Sequence, residues 1–320
     1  GSLKALLEVR DGDNLENFKG KVTKADSYSL TVENISIDNI KSLNLPDKDG
    51  KITVNNISYS YDSWEAQVDA QGNIKSVTFN LSKDKAIADP EKTVAEGYLL
   101  NAGSAINARG IPYYMTQLNE FVRNFSEMFN QIESKGQNLN GDTPPTFFEA
   151  ITNTAKVYDF SESEAYSKLP DGQTATINSS SNTYYRMTAA NFSVNKDVMN
   201  DVSLFATSTD YVKTDSCDIV DELKKLQSEK TVYRGDKAES FLETIISNVS
   251  VDTEKAETYN KLYSNLEQTI ANQRTSVSGV DEDEEALNLV KFQYSYNMAS
   301  KIISVMNQML DKLINDTGVA

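Results

Sequence analysis

Residues 274–313 read RTSVSGVDEDEEALNLVKFQYSYNMASKIISVMNQMLDKL. A loop and a knot of acids lead into a long helix with an apolar stripe. Leu289, Phe292, Tyr296, Ala299, Ile303, Met306, Leu310 and Leu313 follow at spacings of 3, 4, 3, 4, 3, 4 and 3, which is a heptad seam. Met298, Ile302, Val305 and Met309 form a second row and broaden the face enough for several neighbours. Such a helix is marginal alone in water, because nucleation is costly and few contacts repay it. Burying each large side chain contributes roughly 1.5–3 kcal/mol, so eight seam positions can supply on the order of 10 kcal/mol or more. The eight residues are therefore expected to form an assembly interface of a coiled-coil kind.

Upstream, residues 236–273 read as helix in two parts around Asn248-Val249-Ser250-Val251, with Tyr259, Tyr263, Leu266 and Ile270 spaced 4, 3, 4. A second long helix starts at Gly110 and stops at Gly136, with Pro112 in a first turn that tolerates proline. Met115, Leu118, Val122, Phe125, Phe129 and Ile132 give it a core-facing stripe. Residues 137–235 are mixed short segments and loops, with a modest helix at 218–230. Between 17 and 100 the period falls to two: Tyr28/Leu30/Val32, Ile57/Tyr59/Tyr61, Trp64/Ala66/Val68 and Val77/Phe79/Leu81. Turn signals at Pro46–Gly50, Asn55-Asn56 and Gln71–Asn73 separate them, as in an antiparallel β domain. Leu3–Arg10 looks like the end of a helix. The expected architecture is α+β: an elongated, long-helix bundle with an inserted antiparallel β domain and an amphipathic C-terminal helix. The expected segments are 1–14 (helix end), 15–109 (β insertion), 110–279 (central helical domain) and 280–320 (heptad helix).

Acids outnumber bases 47 to 31, for a formal charge of −16. That balance disfavours nucleic acid and anionic membrane surfaces, which reward Lys/Arg stripes. With no histidine, Ser-His-Asp and Cys-His catalysis and histidine-based metal sites are ruled out. The single cysteine, Cys217, allows no intramolecular disulfide and lacks a histidine to activate it. Asp281, Asp283, Glu284 and Glu285 lack the glycine and ligand spacing of a calcium loop, and read as acids complementing a helix N-terminus. Glu149, Asp159 and Glu162 show no acid–base spacing. Trp64, Tyr59 and Tyr61 could make an aromatic glycan platform, but strand spacing favours a place in the core. No catalytic, cofactor or metal residues are assigned, and an enzyme is not expected.

SVSGVDEDEEALNLVKFQYSYNMASKIISVMNQMLDKLI, ending at Ile314, resembles the C-terminal signature of the bacterial flagellar axial proteins, and most closely the hook-associated protein 1 family. Its most specific part is SVSGV followed by DEE and a Phe-Gln-x-x-Tyr pattern. LKALLEVRDGDN, RGIPYYMTQLNEFVRNFSEMFNQIESKGQNLNGDTPPTFFEA and YYRMTAANFSVNKDVMND are similar to other segments of that family, in the same order. The resemblance covers 3–13 and 110–316, about two thirds of the chain, and is silent on 15–109. It implies a secreted structural protein of the extracellular flagellum, exported unfolded and assembled through terminal helices at the hook–filament junction. The implied partners are other axial proteins (the hook and a second junction protein), copies of itself and an export chaperone. An N-terminal helical segment that pairs with the C-terminal one in that family is not in this sequence, so the chain is expected to be the C-terminal part of a longer protein. The alternatives are another flagellar axial protein, such as the third junction protein or a flagellin-like protein, and a surface adhesin or glycan-binding module carried by the β insertion.

Overall fold

The structure, a computed structural model, describes residues 2–316 except 83–86, 88–96, 153–155, 159, 161–165, 167, 214, 230 and 234. Asp159 and Glu162 lie outside the described residues. The chain divides into two units, residues 1–246 and 247–320.

Two asparagines set the tightest turn of the first unit. Asn55 and Asn56 have φ of 48° and 62°, the left-handed conformation that a two-residue hairpin needs and that asparagine tolerates. They join β3 (Gly50–Val54) to β4 (Ile57–Val68). With β1 (Phe18–Asp26), β2 (Ser29–Glu33), β5 (Ile74–Leu81) and β6 (Leu99–Ala102), the order is β3-β6-β1-β2-β5-β4. All neighbours are antiparallel, and β3–β4 pairing closes the six strands into a barrel, which leaves no open edge among them.

The two sequence alternations 57/59/61 and 64/66/68 are one residue out of step. They belong to a single strand, β4, and a bulge between Tyr61 and Ser63 absorbs the slip. Tyr59, Tyr61 and Trp64 consequently all point inward and are buried. Tyr61 Oη and Trp64 Nε1 each donate to the Pro46 carbonyl at 3.1 Å, so neither polar tip is stranded in the core. The chain enters and leaves the barrel side by side. Gly110 N–H donates to Gly12 O at 3.0 Å, and a Cβ on Gly12 would come within 2.6 Å of the Ala108 carbonyl. Only glycine allows these backbones to approach so closely.

The helix expected after Gly110 is α2 (Ile111–Glu133), α1 being Ser2–Asp11. Its packing differs from the expectation. Ile132 is buried, but Met115, Leu118, Val122, Phe125 and Phe129 are only half-buried, while Gln117, Glu120, Arg123, Glu127 and Asn130 are buried. Neighbouring loops present unpaired carbonyls and amides, and the polar face answers them. Arg123 Nε donates to Met187 O at 2.9 Å, and Nη1 donates to Lys41 O at 3.0 Å and Leu43 O at 2.7 Å. Its guanidinium lies 4.7 Å from the Tyr185 ring centroid, a cation–π contact. Two turns further, the Asn130 amide donates to Phe148 O and Tyr184 Oη and accepts from Phe148 N–H, all at 2.9 Å. Glu127 pairs with Lys41.

The remainder of the first unit packs around α2. The strands β7 (Phe148–Ile151), β8 (Val157–Tyr158) and β10 (Phe192–Val194) make a small sheet, and β9 (Ala175–Asn178) extends the barrel along the far half of β4. After α3 (Lys196–Asn200), α4 (Asp218–Ser228) and the hairpin β11 (Thr231–Tyr233)–β12 (Asp236–Lys237) bury Ile219, Leu226 and Val232 against Phe121 and Ile132. The architecture is thus α+β with a closed antiparallel barrel. The long helix α2 is surrounded by turns, a sheet and α4 instead of by parallel helices of a bundle.

α5 (Ala238–Ser278) and α6 (Glu282–Asn315) complete the chain. α5 is one helix of 41 residues, where two parts were expected. Valine and serine at 248–251 cost only a few tenths of a kcal/mol each in helix propensity, too little to break it. The loop expected at 274–278 is also helical, and the helix stops at Gly279.

Removing Arg123 leaves three carbonyls without their donor, each costing about 1–3 kcal/mol. Arg123→Ala should therefore lower stability by about 3 kcal/mol or more in urea unfolding, and Arg123→Lys should restore little, because an ammonium cannot span the fork. A loss below about 1 kcal/mol would contradict the clasp. Glu133 gives a pH signature. It is 2% exposed, one oxygen accepts from Ala206 N–H, and the other has no hydrogen-bond partner. Burial pushes its carboxyl up from 4.5 to about 7. The folded state then holds more protons than the unfolded state across that window, so stability should fall as pH rises from about 4.5 to about 7 and level off above. Glu133→Gln should flatten that slope in urea melts, and an unchanged slope would assign it elsewhere.

Candidate assembly interface

α6 begins with its own cap. The Asp281 carboxylate accepts from Asp283 N–H at 3.0 Å and Glu284 N–H at 3.3 Å, which ties two of the four orphan donors of a helix start. Glu282, Asp283, Glu284 and Glu285 fill the first turn and Lys312 lies in the last, so charge complements the helix dipole at both ends. The acidic knot is thus a capped helix start. Among the described residues no group of three or more His, Cys, Asp or Glu could hold a metal ion.

From this start the helix runs unbroken to Asn315 and carries Leu289, Phe292, Tyr296, Ala299, Ile303, Met306, Leu310 and Leu313 along one face, as 3-4 spacing on a helix requires. All eight are exposed. Phe292 at 75% and Tyr296 at 73% are the extremes among its aromatics on that row. The second row, Met298, Ile302, Val305 and Met309, is exposed as well. An apolar strip of this length is unusual on a water-facing surface. No helix of the described residues is long and apolar enough to cross a membrane.

The structure also brings out a stripe that the sequence reading only began. On α5, Tyr259, Tyr263, Leu266 and Ile270 are each about half to two-thirds exposed, with Val249 and Val251 upstream and Val277 at the far end. The signal was available as heptad spacing, but the supposed break at 248–251 cut it short. Conversely, the aromatic trio of the barrel is withdrawn from any surface role: Trp64 and Tyr61 have no exposed surface and Tyr59 is 6% exposed. Cys217 is exposed at the start of α4. Glu149 is buried on β7, where burial and the neighbouring Asp197 raise its carboxyl above the usual range.

Comparison with a family model falls on the same C-terminal region. Residues 271–316 match the family described as flagellar basal body rod FlgEFG protein C-terminal, a span that contains the end of α5, the joint and α6. Over 215 residues the chain is 24% identical to flagellar hook-associated protein 1 of Bacillus subtilis (strain 168), covering 65% of this chain and 36% of that protein. The chain thus spans a little over a third of the length of the curated relative it matches. The chain carries a segment similar to a flagellar rod-type C-terminal region at 271–316, and over about two thirds of its length it is similar to a flagellar hook-associated protein 1.

Proposed function

We propose that this protein is a non-enzymatic structural component of the bacterial flagellum, acting at the hook–filament junction and assembling through its C-terminal helix after export. The observation that carries the reading is the exposed seam of α6, lying inside the segment that matches the flagellar rod-type family. A chain with a formal charge of −16 and no histidine suits a solvated structural subunit better than a catalyst. In this reading helices from other axial proteins, the hook and a second junction protein among them, and from copies of this chain cover Leu289, Phe292, Tyr296, Ala299, Ile303, Met306, Leu310 and Leu313. The long-helix bundle expected from sequence would then form on assembly. Export requires a chain that can be kept unfolded, for which an export chaperone is the natural partner. The barrel of residues 18–102, bounded by the Gly12–Gly110 contact, is an inserted module between two helices. Trp64, Tyr61 and Tyr59 are buried in it and are not available as a platform for the glycan-binding alternative.

The test is genetic. Ile303→Glu and Met306→Glu together place two charges in the centre of the seam, in the full-length gene of a motile host. Secreted protein should persist at parental level while hooks lose their filaments, and motility should drop by at least tenfold. Filaments retained at parental frequency would remove the seam from assembly. Loss of rod or hook instead of filament would point to another axial protein.

A further inference from the structure

The stripes of α5 and α6 are mirror images about the joint between them. Counting outward from Gly279, Ile270 and Leu289 stand 9 and 10 residues away, Leu266 and Phe292 both 13, and Tyr263 and Tyr296 16 and 17. Tyr259 and Ala299 both stand 20 away, and Val249 and Leu310 stand 30 and 31 away. Three equidistant pairs carry opposite charges, and the remaining charges face uncharged residues. Arg274 and Glu284 are each 5 residues from Gly279, Glu267 and Lys291 each 12, and Glu257 and Lys301 each 22. No equidistant pair between 247 and 311 carries like charges. The one polar interruption of the stripe is Asp252, equidistant with Met306.

The joint has the chemistry of a helical turn. Residues 279–281 are non-helical, within the two-to-five-residue loops that link antiparallel helices. Gly279 ends α5 where a Cβ would lie 2.2 Å from the Thr275 carbonyl, and Asp281 caps α6. A stop glycine with a capping aspartate two residues on supports two helices that change direction. Heptad stripes on consecutive helices need not share a centre, since a shift of two or three residues in either one would set apolar against polar.

We propose that residues 247–316 can close into an antiparallel helical hairpin about Gly279, with α5 covering the seam of α6 until a partner helix displaces it. The structure shows the open form, in which both stripes are exposed. Closure shields the apolar strip of a free subunit from aggregation, and α5 then competes with any partner for Phe292 and Tyr296, which makes the hairpin an autoinhibitory contact. The inference does not depend on the place in the flagellum where assembly occurs.

Nitroxide labels on Ser264→Cys and Ser295→Cys, in a Cys217→Ser background, report the state directly. Helix axes 8–10 Å apart place the labels about 10–25 Å from each other when closed. Pulsed electron resonance on the dilute monomer should show that short distance, and a tenfold excess of unlabelled chain should leave it unchanged. Leu266→Asp with Phe292→Asp should abolish it while α6 remains helical by circular dichroism. No population below about 30 Å, or a short distance that disappears when unlabelled chain is added, would overturn the proposal. The second result would assign the seam to another copy. Either result leaves the filament-attachment test of the junction reading intact.

Discussion

The constraint that organises this molecule is an apolar helical face that water cannot leave uncovered. α6 carries eight seam residues with all of them exposed, and the gain from covering them, on the order of 10 kcal/mol, is comparable to the whole stability of an ordinary domain. In the proposed reading, that unrealised burial is what drives association. Its N-terminal cap, acidic first turn and terminal Lys312 stabilise the helix locally, so that the face is presented as a ridge before any partner arrives. Pre-ordering of this kind reduces the entropy that binding must overcome.

The first unit solves a different problem. Its central helix, α2, is amphipathic, yet the face it buries most deeply is polar. Arg123, Asn130 and Glu127 take up carbonyls and charges from the 40–43 turn, the 184–187 segment and β7, and so bind barrel and small sheet to one helix. Such a network is costly when incomplete and specific when complete. Arg123 is fully committed, to three carbonyls and a tyrosine ring, and desolvation lowers its pKa from the ordinary guanidinium value. The half-covered apolar row on the same helix is the counterpart of that commitment.

Period and turn chemistry carried most of the secondary structure. The seam of α6, the inward alternation of Leu30, Val32, Val77 and Phe79, and the Asn55-Asn56 hairpin all follow from residue spacing and left-handed preference. The barrel did not. Besides the β3–β4 hairpin, the closed ring needs Ile52–Val54 to pair with Leu100–Ala102, a contact between segments some fifty residues apart that no local pattern announces. The β4 bulge shows in the sequence as a one-residue slip between the Tyr61 and Trp64 alternations. The polar spine of α2 escaped because large polar residues at helical spacing are normally solvent-facing, and only unpaired carbonyls on a neighbouring loop reverse that expectation. The break assigned at 248–251 overvalued a weak propensity against the helical run on either side of it. The eight seam residues were accessible from spacing alone, whereas their partner was not, because a helix face specifies shape and apolarity but not the identity of what covers it.

The account rests on α6 being one half of a contact that is completed in the assembled flagellum. Accessibility of a single cysteine at Ile303→Cys, in a Cys217→Ser background, tests that most directly. Maleimide should label the variant in secreted, unassembled protein and leave it at least tenfold slower in purified flagella, while a control cysteine on the exposed barrel turn at Lys48 reacts equally in both. Equal reaction of residue 303 in the two states would contradict the account.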